Sequence, residues 1–130
     1  MKKILVTGGT GMVGKGFHDL NTEHDFVFVG SSDYDLRSMV ETDFMLKDIK
    51  PDAIIHLAAR VGGVKSNSDY ISDFYRDNIL MNTNLLDASR RFGIKKVVSL
   101  LSTCVYPDKA QYPLTPEQFH DGRPHKSNFG

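Results

Sequence analysis

Residues 7–14 read "TGGTGMVG", a glycine-rich stretch that follows the apolar segment "KILV" and decides the predicted fold. Its glycines satisfy G-x-x-G-x-x-G and, counted from Gly9, also G-x-G-x-x-G. The early glycines permit a tight turn, Gly11 lets the backbone approach a pyrophosphate, and Gly14 lets the helix pack closely on the strand, so that the helix N-terminus faces the anion. Between a strand and a helix, this pattern predicts a nucleotide-binding loop; the alternative is a turn with a structural role only.

Four short apolar runs predict the strands of a sheet, at residues 3–9, 26–30, 53–59 and 96–103. They are rich in β-branched residues and lack polar alternation, which is typical of strands buried on both faces. Three sets of residues at helical spacing predict helices with one buried face, and Gly93 is placed to cap the last of them. The three stripes are Met12, Val13, Phe17 and Leu20; Leu36, Val40, Phe44 and Ile49; and Ile71, Tyr75, Asn78, Asn82, Leu85 and Ser89. Strand alternating with helix predicts a parallel α/β sheet whose strands all end at one edge.

Length and charge limit the number of domains and the kinds of partner that the chain can have. We expect the 130 residues, 40% of them apolar, to form one domain over residues 1–130. Sixteen basic residues balance sixteen acidic ones, so we expect no nucleic-acid or membrane partner. The single cysteine forms no internal disulfide, and the N-terminal apolar run is too short for a signal peptide, which makes the cytoplasm the default compartment.

The second predicted strand indicates which dinucleotide the loop prefers. NAD-binding sheets usually carry a carboxylate at the end of this strand, whereas here Gly30 is followed by Ser31 and Ser32. Two hydroxyls accommodate a 2′-phosphate that a carboxylate would repel, so the sequence favours NADP over NAD. Arg37 is interpreted as a solvated charge on a helix face, although it could also assist in binding the 2′-phosphate.

After the third strand, the small residues of "HLAARVGG" allow a ribose and a nicotinamide to lie against the strand end. His56, inside that strand, is read as a core histidine with satisfied hydrogen bonds. His120 and His125 lack partners at metal-ligand spacing, so we predict no metal site.

The lone cysteine, Cys104, follows the fourth predicted strand in "LLSTCVYPD". It could be a small apolar filler or a functional thiol. If the chain stays extended, Ser102 and Cys104 project to one side and Thr103 to the other. The pair would then face the cofactor.

The motifs "TGGTGMVG", "HLAA", "DNILMNTNLLDAS" and "STCVYP", in this order, resemble the extended short-chain dehydrogenase/reductase family. "HLAARVGG", "NSDYISDFYRDN", "LSTCVYPDK" and "PHKSNFG" narrow the resemblance to a sugar-nucleotide epimerase/reductase. The resemblance implies a Rossmann-like doubly wound parallel sheet, truncated before the family's later strands and substrate domain. It also implies a reaction: epimerisation of GDP-4-keto-6-deoxy-D-mannose at C3 and C5, then hydride transfer from NADPH to C4.

The resemblance also implies roles for individual residues. Ser102 matches the serine that binds the C4 oxygen, Cys104 the acid/base beside the ketone, and Asn78 the helix asparagine near the active site. The full cofactor-binding set that we predict is Gly8, Gly9, Thr10, Gly11, Met12, Val13, Gly14, Ser31, Ser32, Asp35, Leu36, Leu57, Ala58, Ala59 and Asn78.

The family's Tyr-x-x-x-Lys pair follows the segment that matches "SNFG", where this sequence stops. We therefore expect this chain to be the N-terminal, cofactor-binding part of a longer enzyme, inactive alone, and we expect the full-length enzyme to be a homodimer.

Two alternatives stay open. One is a different NAD(P)-dependent sugar-nucleotide epimerase or dehydratase, which would not require Cys104; the other is a non-catalytic nucleotide-binding protein.

Overall fold

The computed structural model describes residues 1–20 and 22–126. Its four strands are β1 (Lys3–Thr7), β2 (Asp25–Val29), β3 (Ala53–His56) and β4 (Val97–Ser99). They form one parallel sheet in the order β2-β1-β3-β4. The predicted Rossmann-like parallel sheet is confirmed. Each strand ends two to four residues earlier than its apolar run predicts, except β2, which ends one residue earlier.

The strand order contains a reversal at β1. The chain passes from β1 to β2 on one side, then crosses back over β1 to β3 and continues to β4. Right-handed crossovers in opposite directions lie on opposite faces of the sheet, which makes it doubly wound. The carboxyl ends of β1 and β3 therefore form a switch point, where open α/β sheets bind ligands.

The helices are α1 (Met12–Lys15), α2 (Met39–Ile49), α3 (Val64–Asp69) and α4 (Ile71–Arg91), with 3-10 turns at Thr103–Val105 and Pro116–His120. Side chains of α2 and α4 cover one face of the sheet and form the main core with it. The core residues are Leu5, Val29, Leu36, Met45, Leu46, Ile49, Ile54, Leu85 and Ala88. Arg91 of α4 joins the two helices by a bidentate ion pair with Asp43 of α2.

The first predicted crossover helix is wrong in length. Only four residues of the predicted segment 12–20 are helical, and Met12 at its start is 90% exposed. Isolated helices this short are not stable, and Gly14 and Gly16 lie inside or next to this one. Phe17 and His18 cover the sheet instead, through ring contacts with Phe26 and Phe28 of β2.

The last crossover helix matches its prediction better. Gly93 ends α4 with a φ of +73°, and Ile94 N–H donates to the Ser89 carbonyl at 2.9 Å, as in a Schellman cap. Of the predicted buried stripe, Leu85 and Ser89 are buried, but Ile71 and Tyr75 are exposed.

By its internal contacts the chain forms two compact units. The first comprises Met1–Arg60 and Asp77–Leu100, and contains the whole sheet; the second comprises Val61–Arg76 and Leu101–Gly130. In the second unit, Tyr106 meets Phe119 edge to face and Thr115 caps the second 3-10 turn in a capping box with Gln118. The single domain 1–130 stays a prediction. Within the described residues, no helix is long and apolar enough to cross a bilayer.

Candidate functional site

The glycine loop is pressed onto the end of β3. Gly8 has a φ of +70°, which L side chains rarely adopt, and Gly11 N–H donates to the Gly8 carbonyl at 3.0 Å. A Cβ built on Gly8 would lie 2.7 Å from the backbone nitrogen of Ala58. A glycine is therefore required here because the main chains of the loop and of the segment after β3 are in contact.

Two more glycines bring the loop together with the end of β2. A Cβ on Gly14 would lie 2.5 Å from the Cα of Gly9, and one on Gly30 would lie 2.5 Å from the Thr10 hydroxyl oxygen. Gly9 N–H donates to the Val29 carbonyl at 2.9 Å. The loop thus contacts the ends of both neighbouring strands, and its outer residues, Thr10 and Gly11, are exposed.

Gly14 is closely packed, but the predicted partner is wrong, because the atoms nearest to its Cβ position belong to the loop backbone at Gly9 and not to the strand. With four residues, α1 also lacks the length to support the predicted orientation of a helix dipole toward an anion. Any attraction of the loop for a phosphate would therefore come from its individual N–H groups.

The turn after β2 uses its nearest carboxylate internally. Asp33 accepts a hydrogen bond from Gly30 N–H at 2.7 Å and returns its own N–H to the Gly30 carbonyl at 3.1 Å. Ser31 and Ser32 lie at the exposed tip of this turn. The two hydroxyls are therefore presented to solvent, while the carboxylate closes the turn.

The second carboxylate of this segment, Asp35, is held by Arg37. The guanidinium donates to both carboxylate oxygens, at 2.8–3.2 Å, and this hydrogen bonding lowers the pKa of Asp35. The predicted place of Arg37 on a helix face is wrong, because α2 begins only at Met39. Its side chain is exposed, as predicted, and pairs with Asp35 and, at 3.4 Å, with Asp77.

Asp77 of α4 is a buried carboxylate, 3% exposed, that lies between two arginines. Arg60 donates to it at 2.8 Å and Arg37 at 3.4 Å, and the hydrogen bond from Arg60 is the main reason why the pKa of Asp77 is lowered. Sequence analysis missed this residue. A lone aspartate on a mostly polar helix carries no signal of burial, and its partners come from distant parts of the chain.

The segment after β3 carries the predicted residues Leu57, Ala58 and Ala59. Leu57 N–H donates to the Thr7 carbonyl at 3.0 Å, which extends the β1–β3 pairing by one bond, and Ala59 is exposed. Asn78 binds both main-chain groups of Arg60, accepting from its N–H at 2.8 Å and donating to its carbonyl at 2.9 Å. Asn78 thereby fixes where the chain leaves β3, and its predicted contact with a cofactor stays a prediction.

The predicted core role of His56 is confirmed. Its Nδ1 lies 2.6 Å from the Thr7 hydroxyl and its Nε2 lies 2.9 Å from the Asn82 amide oxygen. Because that amide oxygen only accepts, Nε2 carries the proton, and in neutral His56 the Thr7 hydroxyl donates to Nδ1. Burial lowers the pKa of His56, so the ring stays neutral and ties β3 to the end of β1 and to α4.

This network predicts a pH-dependent stability. In the unfolded chain His56 takes up a proton below about pH 6.5, whereas the folded chain resists protonation until lower pH. The free energy of unfolding should therefore fall as the pH drops from 8 to 5.5. Urea titrations at both pH values should show a smaller drop in His56→Gln, which has no titrating group there, than in the parent. The exposed His24 supplies the control, and an equal drop in His56→Gln and His24→Gln would contradict the prediction.

Ser102 and Cys104 lie in the second unit, in a local turn. Because β4 ends at Ser99, the extended chain assumed for their alternating directions is not formed, and that part of the prediction is wrong. Ser102 caps the 3-10 turn Thr103–Val105 by accepting from Cys104 N–H at 3.1 Å. The Cys104 thiol is exposed, which argues against the apolar-filler interpretation.

Within residues 1–20 and 22–126, no group of three or more His, Cys, Asp or Glu side chains is arranged to hold a metal ion.

The motif "PHKSNFG" lies partly outside the described residues, since it runs to Gly130. The second residue that the sequence did not reveal is His18, whose ring stacks on Phe28 and contacts the carbonyl of Gly9 in the glycine loop.

A doubly wound parallel sheet with a glycine loop at its switch point defines the class of dinucleotide-binding α/β proteins. The chain belongs to the NAD dependent epimerase/dehydratase family, whose model matches residues 4–129.

Individual relatives are more specific. The chain is 47% identical over 134 residues to GDP-L-fucose synthase of Dictyostelium discoideum, covering 99% of this chain and 42% of the relative. It is 35% identical to GDP-L-colitose synthase of Yersinia pseudotuberculosis, covering 98% of this chain and 42% of the relative. The crystal structure of a GDP-L-fucose synthetase from Naegleria fowleri bound to NADP superposes with a TM-score of 0.85 at 43% identity, covering 98% of this chain and 39% of that one. The chain thus spans about two fifths of the length of these relatives.

Proposed function

We propose that this chain is the cofactor-binding part of an NADPH-dependent epimerase/reductase that converts GDP-4-keto-6-deoxy-D-mannose into GDP-L-fucose. The observation that carries the proposal is the glycine loop packed against both neighbouring strand ends at the switch point of the sheet, in a chain 47% identical to a GDP-L-fucose synthase. The partner molecule is a GDP-linked keto sugar, and the whole enzyme is a homodimer.

The residues of the loop fit a dinucleotide. Gly8 and Gly14 have their Cβ positions filled by neighbouring backbone, so no side chain stands above the loop at these places. Thr10 is exposed, and its main-chain N–H is the kind of donor that holds a pyrophosphate, whereas the N–H of Gly11 already donates to the Gly8 carbonyl. When bound, NADPH supplies the hydride that C4 of the sugar receives.

The turn after β2 supports NADP over NAD. One carboxylate oxygen of Asp33 accepts from Gly30 N–H, and both oxygens of Asp35 accept from Arg37, so the two carboxylates of this segment already have partners within it. Ser31 and Ser32 are the exposed polar side chains at the tip, and their hydroxyls can donate to a 2′-phosphate.

The experiment that tests the cofactor assignment is a calorimetric titration with NADPH and NADH. The parent should bind NADPH more tightly. Ser31→Asp should weaken NADPH by about tenfold through like-charge repulsion, roughly 1.4 kcal/mol, and leave NADH within about twofold. Ser31→Asn, similar in size but neutral, is the matched control and should keep the parental preference. Equal or tighter NADH binding by the parent would overturn the NADP assignment.

Ser102 and Cys104 carry the proposed chemistry. A proton next to a ketone becomes acidic when the developing enolate oxygen is held by hydrogen-bond donors, and the Ser102 hydroxyl is the proposed donor to the C4 oxygen. Cys104 is the proposed group that removes and returns protons at C3 and C5, because a thiol can be tuned to exchange protons near neutrality. The exposure of Cys104 supports this role, since a solvent-facing thiol can reach a substrate.

A second candidate is an enzyme acting on a different GDP-linked sugar. It is favoured by the 35% identity to the Yersinia GDP-L-colitose synthase over 98% of this chain. A chimera that joins residues 1–130 to the remaining residues of the Dictyostelium relative, assayed with several GDP-linked keto sugars, separates the two candidates. A chimera that binds NADPH but turns over none of them would favour a non-catalytic nucleotide-binding role.

A further inference from the structure

His18 contacts the glycine loop at the carbonyl of Gly9, and no motif in the sequence predicts this contact. It lies in the turn after α1, and its ring stacks on Phe28 of β2, with the ring centroids 3.8 Å apart and the planes inclined by 17°. In this position its Nε2 is 3.3 Å from the carbonyl oxygen of Gly9. The stack holds the ring, and the Nε2–H can donate to that carbonyl.

The Gly9 residue is otherwise enclosed by main chain and by Phe28. Its N–H donates to the Val29 carbonyl at 2.9 Å, and a Cβ on it would lie 2.7 Å from the Cβ of Phe28. Gly14 packs directly against both its Cα and its carbonyl oxygen. His18 adds a side-chain hydrogen-bond donor to that oxygen, so packing by Gly14 and the bond from His18 together set the direction of the carbonyl.

That direction sets the orientation of the next N–H. The carbonyl of Gly9 and the N–H of Thr10 belong to one planar trans peptide, in which the two groups point in opposite directions. A donor that fixes the direction of the Gly9 carbonyl therefore also fixes the opposite direction of the N–H of Thr10, which is an exposed residue of the loop.

We propose that His18 is a positioning residue that presets the Thr10 N–H for the pyrophosphate of the dinucleotide. The proposal rests on the proposed function, since it assumes that the loop holds this group. His18 acts through the Gly9–Thr10 peptide and is not itself a ligand. The sequence alone does not predict this role, because the glycine motif specifies no histidine at a fixed distance after it.

A pair of variants separates the hydrogen bond from the ring stack. His18→Phe keeps an aromatic ring on Phe28 but has no donor, whereas His18→Gln carries an N–H near the place of Nε2. Losing one hydrogen bond of ordinary strength should weaken NADPH binding roughly 2- to 10-fold in His18→Phe. His18→Gln should stay within about twofold of the parent, and the amide resonance of Thr10 should shift in the Phe variant more than in the Gln variant.

Adenosine 2′-phosphate, which has no pyrophosphate, is the control ligand, and its affinity should be the same in all three proteins. Thermal melts of each variant accompany the titrations. His18→Phe binding NADPH as tightly as the parent would overturn the proposal, and so would an equal loss of both ligands. A parent that binds neither ligand would overturn the proposed function and this proposal with it.

Discussion

Gly8→Ala should lower the free energy of unfolding by about 2–5 kcal/mol and remove measurable NADPH binding. The left-handed backbone at Gly8, φ +70°, costs an alanine about 1–2 kcal/mol. The added Cβ would lie 2.7 Å from the Ala58 nitrogen and 2.8 Å from the Leu57 carbonyl carbon, and overpacking of this kind costs roughly 1–3 kcal/mol more. Since both neighbours are backbone, relief requires the loop to move away from β3, which displaces the predicted cofactor site.

Gly93→Ala isolates the cost of the backbone conformation. Gly93 has nearly the same φ, +73°, but no heavy atom lies within 4 Å of the position that an added Cβ would occupy, so only the conformational cost of about 1–2 kcal/mol should remain. Urea unfolding gives both free energies, and NADPH titration should find Gly93→Ala unchanged. If the two variants lose equal stability, the close approach of the loop to β3 contributes nothing.

Cys104→Ser should abolish proton exchange at C3 and C5 of the keto sugar, a loss of at least about a hundredfold for removal of a general acid/base. Serine matches the shape of cysteine, but its hydroxyl pKa is far too high for a base near neutrality. The measurement is deuterium incorporation from heavy water into the sugar, followed by mass spectrometry, in the chimera with the Dictyostelium relative. NADPH affinity should stay close to that of the parent chimera.

Ser102→Ala completes this experiment, because it should impair both proton exchange and reduction, which use the same C4 oxygen. Part of its effect will be structural, since Ser102 also caps the turn that carries Cys104, and a cap is worth about 1 kcal/mol. A thermal melt measures that part. Parental incorporation of deuterium by Cys104→Ser would show that the thiol has no role in exchange.

The sheet and the glycine loop could be predicted because their signals are local. A strand buried among parallel neighbours reads as a continuous apolar run, as residues 3–7 and 53–56 do, and the roles of Gly8 and Gly14 follow from the motif spacing. His56 was likewise predictable, because a histidine inside such a run must satisfy its ring nitrogens to be buried.

The features that could not be predicted depend on residues far apart in the chain. Arg37, Arg60 and Asp77 meet only because the strand order brings the ends of β2 and β3 near α4, and no local pattern records that meeting. The stripe predicted for α2 is correct only at its two ends, Leu36 and Ile49, which lie in the core. Val40 and Phe44, between these ends, are exposed. The helix buries Thr42, Met45 and Leu46 instead, because burial depends on which elements pack against the helix.

The central position of β1 has a consequence for how the chain folds. Residues 3–7 pair with 25–29 on one side and with 53–56 on the other, so β1 cannot complete its pairing until residue 56 has been synthesised. Long-range parallel pairing of this kind raises the contact order and slows folding. Until residue 56 has been synthesised, one edge of β1 has no partner strand, and unpaired strand edges of this kind are prone to aggregation during folding.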